Sequence, residues 1–219
     1  MQISKLAASA KPSATLSLNS KAKAMAARGE DVVMFTVGEP DFDTPDNIKQ
    51  SAIRAIQAGH TNYTPAAGTA ELREAISEKF QTDNGLQYPP DQIIVSNGAK
   101  QALYMLMLCV LDEGDEVLLP APHWVSYAAQ ARVCGAEPVS VDCTDTDDLK
   151  LTPELLKNSI TDRSKLLLLN SPGNPSGAVY TRDQLAAIAE TAAEEDLWIF
   201  SDEVYESLIY DDFEHFSTA

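Results

Sequence analysis

The sequence predicts an α/β protein with a mainly parallel sheet flanked by helices, and three observations carry that expectation. Short apolar runs alternate with helical patterns from about residue 46 onward, the order that builds a parallel sheet through right-handed crossovers. One complete strand–helix–strand unit stands out between residues 165 and 205. Glycines, capping residues and polar side chains gather after the apolar runs, at the strand ends where open α/β sheets bind ligands.

The bulk composition narrows the possibilities. A chain of 219 residues, 44% apolar and 22% charged, has room for one large domain or one and a half small ones. Its 16 basic and 33 acidic residues leave a net charge of −17, which argues against a nucleic-acid surface or an anionic membrane as partner. An anionic small molecule stays possible, because salt screens remote charges beyond about 8 Å. Cys109, Cys134 and Cys143 are odd in number and lack metal-ligand spacing, so neither a disulfide framework nor a metal site is expected. Cys109 lies within a helical apolar pattern and reads as core. Lys5 is followed by no apolar stretch adequate for a signal peptide, and no run reaches membrane-span length, so the expected setting is cytoplasmic.

In chain order, residues 1–12 are small and polar without periodicity and read as an arm. A helix follows to about Ala27, closed by Gly29. Residues 32–37 form an expected strand that ends in Gly38-Glu39-Pro40-Asp41-Phe42. Thr44 and Pro45 should start the next helix as cap and first helical residue, with Ile48, Ala52, Ile53 and Ile56 inward and Gly59 at its end. A loop from His60 to Pro65 precedes a helix near 70–80. Residues 92–96 read as a strand that turns through Asn97-Gly98-Ala99-Lys100-Gln101 into a helix with Leu103, Leu106, Met107 and Val110 inward. Strands are expected near 116–119 and 137–141, the first leading to Pro122-His123-Trp124 and the second to an acidic loop over 142–149. Thr152 and Pro153 open a short helix.

The unit that follows is the most informative. An apolar run at 165–170 ends in Asn170 and the turn Ser171-Pro172-Gly173-Asn174-Pro175-Ser176-Gly177. Thr181 and Gln184 have capping-box spacing, and Leu185, Ile188, Ala189 and Ala192 share a helix face. A second apolar run, 197–201, leads into Asp202, Glu203, Val204 and Tyr205.

Taken together, Asn-Ser-Pro-Gly-Asn-Pro-Ser-Gly and Ser-Asp-Glu-Val-Tyr, one βαβ unit apart, resemble the cofactor-binding core of class I aminotransferases, the fold-type-I pyridoxal-phosphate enzymes. The resemblance implies pyridoxal 5′-phosphate as cofactor and assigns roles by position. Asp202 would pair with the pyridine nitrogen, since an adjacent anion favours the charged ring. Asn174 and Tyr205 would hold the ring's phenolate oxygen. Trp124 would stack on the ring, although a tryptophan opening a helix also fits plain core. Gly98, Ala99 and Lys100 would bind the phosphate at a helix N-terminus, with Lys100 alternatively projecting to solvent. Tyr63 would reach a neighbouring subunit's phosphate, unless it packs on its own subunit. Gly38, Asn174 and Trp124 would line the substrate site, Gly38 meeting the α-carboxylate.

The resemblance further implies an aminotransferase that moves an amino group from an amino acid to a 2-oxo acid, working as a homodimer. The Gly-Ala-Lys-Gln-Ala-Leu-Tyr form with Trp124 points to the bacterial aspartate or aspartate/prephenate subgroup, and so to aspartate as donor. Residues 1–45 would be an arm and part of a small domain, and 46–219 the cofactor-binding large domain. The family's lysine, which forms a Schiff base with the cofactor, has no match here: Lys165 opens a buried strand ahead of the asparagine loop. The expectation is that this lysine lies beyond Ala219 and that these residues alone do not turn over. The alternatives are a β-lyase or related reaction on the same fold, or a non-catalytic truncated or sensing domain.

Overall fold

The computed structural model describes residue 3, residues 14–33, residue 38 and residues 42–219, with residues 14–16 as backbone only. Its helices are α1 (Ala14–Ala27), α2 (Asp46–Gln57), α3 (Ala70–Asp83), α4 (Ala99–Val110), α5 (Val125–Val133), α6 (Pro153–Ser159) and α7 (Arg182–Glu194). The strands are β1 (Glu116–Ala121), β2 (Glu137–Asp142), β3 (Ser164–Asn170) and β4 (Trp198–Asp202). They pair in parallel in the order β2-β1-β3-β4. The chain divides into two compact units, one within residues 12–69 and one of residues 70–219. The sheet belongs entirely to the second.

Alternation along the strands puts a core on each face of the sheet. Leu167 and Leu169 of β3 join Leu118 of β1 against Leu156 of α6 and Leu185, Ile188 and Ala192 of α7. Leu166 and Leu168 face the other way, with Val117 and Leu119, onto Leu103 and Met107 of α4 and Tyr127 and Ala131 of α5. Both faces being covered explains why the apolar run of β3 is continuous rather than alternating.

Local signals held where they close hydrogen bonds. Thr181 Oγ1 accepts from Gln184 N at 3.3 Å while Thr181 N donates to Gln184 Oε1 at 2.9 Å, the expected capping box. Thr152 Oγ1 likewise accepts from Leu155 N at 3.2 Å. Gly29, at φ +82°, follows the end of α1, and Gly59, at φ +80°, follows that of α2.

Other expectations are corrected. Residues 93–96 form no strand: a 3-10 turn at Pro90–Gln92 leads into irregular chain, Ile94 is exposed, and among the described residues no neighbouring strand offers a ladder. The start of α2 is Pro45 without a side-chain cap bond, so Thr44 does not cap it. Its apolar stripe is also uncovered, with Ile48, Ile53 and Ile56 at 54%, 44% and 66% exposure. An amphipathic pattern fixes which face a helix offers, not whether a partner covers it. In α4, Leu103 and Met107 point inward as expected, but Leu106 and Cys109 are exposed, because only one stripe of the helix meets the sheet. The expected arm (apart from Ile3), the strand residues 34–37 and Glu39-Pro40-Asp41 lie outside the described residues. Among the described residues, no helix is long and apolar enough to cross a membrane.

Candidate functional site

Three chain segments converge at the carboxyl ends of β3 and β4. Asn170, the last residue of β3, donates from Nδ2 to the carbonyl of Asp202, the last residue of β4, at 2.8 Å. Its Oδ1 accepts from Asn174 N at 2.7 Å. Ser171 N donates to the same Asp202 carbonyl at 3.2 Å. The asparagine loop is thereby pinned to the neighbouring strand end, a connection invisible in either motif alone. Gly173 lets the loop close tightly: a Cβ there would stand 2.8 Å from Ser176 Oγ, so that side chain would have to turn away. With the loop held, Asn174 Nδ2 reaches Tyr205 Oη at 3.2 Å. Two residues expected to share one task therefore sit side by side.

Asp202 is buried at 6% exposure, and its carboxylate is aimed by two groups. Tyr127 Oη donates to Oδ2 at 2.7 Å, and Val204 N donates to Oδ1 at 3.3 Å. Burial, reinforced by the Asp202 contact, pushes the Tyr127 phenol far above its ordinary value, so it remains a neutral donor. Tyr127 went unnoticed in the sequence. Its signal was position: it stands three residues after Trp124, on the same face of the first turn of α5.

Trp124 packs edge-on against Tyr127, with ring centroids 5.4 Å apart at 82°. Lys100 is exposed, and it places Nζ 4.7 Å from the Trp124 ring centroid. Gln130 Nε2, two turns along α5, donates to the Lys100 carbonyl at 2.6 Å and ties α5 to the start of α4. His123, to which the sequence gives no role, has Nδ1 3.0 Å from the Trp124 carbonyl.

The start of α4 has the makings of an anion site. Gly98 occupies the cap position at φ +78°, where a side chain would be strained. Its carbonyl accepts from Gln101 N at 3.1 Å, while Asn97 N is taken up by Gln101 Oε1 at 2.6 Å. The N–H groups of Ala99 and Lys100 find no acceptor among the described residues, as expected for a helix N-terminus open to an anionic ligand. Tyr63 and Gly38 lie in the unit of residues 12–69, where both are exposed. Among the described residues, no cluster of His, Cys, Asp or Glu has the arrangement of a metal site.

A buried carboxylate, a paired amide and phenol, an aromatic plate and free helix-terminal donors suit an aromatic cofactor that carries a phosphate. That donor set fits pyridoxal phosphate: a carboxylate for a ring N–H, donors for a phenolate, and N–H groups for phosphate.

Relatives agree with this chemistry. The model of the family described as aminotransferase class I and II matches residues 30–219. The aspartate aminotransferase of Bacillus sp. (strain YM-2) is 50% identical over 208 residues, 95% of this chain and 53% of the relative. The aspartate/prephenate aminotransferase of Cereibacter sphaeroides is 50% identical across 95% of this chain and 52% of its own length. The solved aspartate aminotransferase from Thermus thermophilus with maleate superposes with a TM-score of 0.95 at 45% identity, over 100% of this chain and 57% of that one. The chain belongs to the class I and II aminotransferase family, whose class I members use pyridoxal 5′-phosphate. It spans about half the length of the curated relatives it matches.

Proposed function

We propose that the whole protein is an aminotransferase that takes the amino group of aspartate and passes it to a 2-oxo acid, and that Ala70–Ala219 holds most of its cofactor contacts. The observation that carries this reading is the Asn174–Tyr205 contact at 3.2 Å beside the buried Asp202. Pyridoxal phosphate, when bound, supplies the electron sink that loosens a bond at the amino acid's α-carbon. Asp202 keeps a proton at the ring nitrogen, and Tyr127 and Val204 N hold its oxygens in place. Asn174 and Tyr205 direct N–H and O–H groups at the phenolate oxygen. Ala99 N and Lys100 N, presented by Gly98, grip the phosphate. Trp124 covers one ring face and excludes water, while Lys100 lies against the tryptophan.

The finer assignments belong to the same proposal. Gly38 and Asn174 meet the substrate's α-carboxylate, Trp124 lines the substrate site, and Tyr63 contributes to a phosphate site across a homodimer. Residues 1–45 serve as arm and part of a small domain, 46–219 as the cofactor-binding large domain, in a cytoplasmic enzyme. Aspartate as donor is supported by the names of relatives at about 50% identity.

The test uses the full natural chain supplied with cofactor, aspartate and 2-oxoglutarate. Expected are oxaloacetate and glutamate in equal amounts, and a fall in kcat/KM of about a hundred- to a thousandfold in Asp202→Asn. Turnover of neutral or aromatic donors without aspartate would overturn the substrate. Release of ammonia and pyruvate in place of amino transfer would overturn the reaction.

A further inference from the structure

Four of the five residues from Asp202 to Glu206 have a side-chain anchor, and the anchors alternate in direction. Asp202 and Tyr205 point toward the site, to Tyr127 and Asn174. Glu203 and Glu206 point elsewhere, and the cofactor chemistry gives neither of them work. Each is nonetheless heavily bonded. Glu203 Oε1 accepts from Ser201 Oγ at 2.6 Å, Ser217 Oγ at 3.0 Å and Thr218 N at 3.1 Å, and its Oε2 lies 3.2 Å from His215 Nε2. Glu206 is gripped by Lys79 Nζ and by Asn84 Nδ2, the latter at 3.0 Å. Lys79 also donates to Asn84 Oδ1 at 2.7 Å, so the end of α3 is shaped around this carboxylate. Burial by itself raises the Glu206 carboxyl, but the hydrogen bonds from Lys79 and Asn84 hold it below the ordinary glutamate value. The turn is closed by Glu206 N donating to the Glu203 carbonyl at 2.9 Å.

We propose that Glu203 and Glu206 are positioning residues for the cofactor, clamping from two sides the turn that presents Asp202 and Tyr205. Glu203 ties the turn to the 215–218 segment, and Glu206 ties it to α3. Neither segment carries a group assigned to the cofactor. The clamp matters because Tyr205 lies beyond the last residue of β4, where the sheet ladder no longer fixes the backbone. Its hydroxyl must still meet Asn174 from another strand end, and a shift of about 1 Å there is enough to cost catalysis.

This inference rests on the cofactor reading above, and the experiment separates the two. The full natural chain is prepared as wild type, Glu203→Gln, Glu206→Gln, Lys79→Met and the core control Ile188→Val. The bound cofactor's absorbance is titrated with pH, and kcat and KM for aspartate are measured alongside melting temperature. Lys79→Met breaks the Glu206 anchor from α3 without altering the turn's own sequence. The three clamp variants are expected to lower kcat about tenfold with KM within about twofold, and to move the absorbance midpoint by about half a pH unit. Ile188→Val should lower the melting temperature and leave kcat and midpoint in place. Wild-type kcat and midpoint in all three clamp variants, or equal shifts in the core control, would overturn the clamp. A wild-type protein with no cofactor absorbance would instead overturn the cofactor reading itself.

Discussion

At the scale of the residue, Tyr127 has one hydroxyl and Asp202 has two oxygens to satisfy at 6% exposure. Removing that hydroxyl leaves a buried carboxylate oxygen short of a donor, which costs more than the same loss at the surface. Tyr127→Phe is therefore expected to lower kcat/KM about tenfold in the full-length enzyme, a bond to a charged group being worth roughly 1.5 kcal/mol. Cofactor affinity should fall in step; unchanged values for both would show that Val204 N alone suffices to aim the carboxylate. The sequence made Asp202, Asn174, Tyr205 and Trp124 readable because their motifs have a recognisable order. Tyr127 was not readable in that way. Its importance comes from a partner 75 positions away, and no local pattern announces a contact of that separation.

Helices and strands were legible to different degrees, and the reason lies in where their hydrogen bonds go. The capping box of α7 involves Thr181 and Gln184 only, so sequence spacing was enough to find it. Thr181→Ala should cost about 1 kcal/mol of stability, measured as a shift in the denaturant midpoint with an unchanged slope. A midpoint equal to wild type would mean that packing of Leu185, Ile188 and Ala192 holds the helix start without its cap. Residues 92–96 failed as a strand for the converse reason. Their composition suits a strand, but a strand exists only through a neighbour's ladder, and none lies beside them among the described residues. The exposed isoleucines of α2 make the same point for helices: period specifies a face, and tertiary contacts decide its burial.

For the molecule as a whole, buried phenols set the alkaline limit. Tyr180 lies in the core, its oxygen accepting from Leu151 N at 2.7 Å, and burial pushes the phenol up to about 12 despite that hydrogen bond. Tyr127 is shifted the same way, first by burial and then by Asp202. A tyrosine in the unfolded chain ionises near pH 10, so the folded state holds these protons more tightly. Their contribution is complete below about pH 10 and is lost as pH rises through the folded values. Stability should fall by about 2–3 kcal/mol between pH 10 and 12 from Tyr180 alone, and Tyr180→Phe should flatten that part of the profile. A Tyr180→Phe curve parallel to wild type over that range would contradict the assignment.

Alternating strand and helix patterns, the two asparagine- and aspartate-bearing motifs and the α7 cap were all determined by the sequence itself, because each depends on residues close in the chain. Local periodicity and turn chemistry were sufficient to place Asn170 and Asp202 at the ends of β3 and β4, with Asn174 and Tyr205 just beyond, while their expected roles came from the family resemblance. The tertiary structure alone decided which apolar faces are covered, and that 92–96 stays out of the sheet. It also decided that Asn170 fastens the asparagine loop to β4, that Tyr127 supports Asp202, and that Lys79 and His215 reach the turn after β4. These contacts join segments from 12 to 127 positions apart. Such pairings arise from the packing of whole elements, and that packing depends on every element at once.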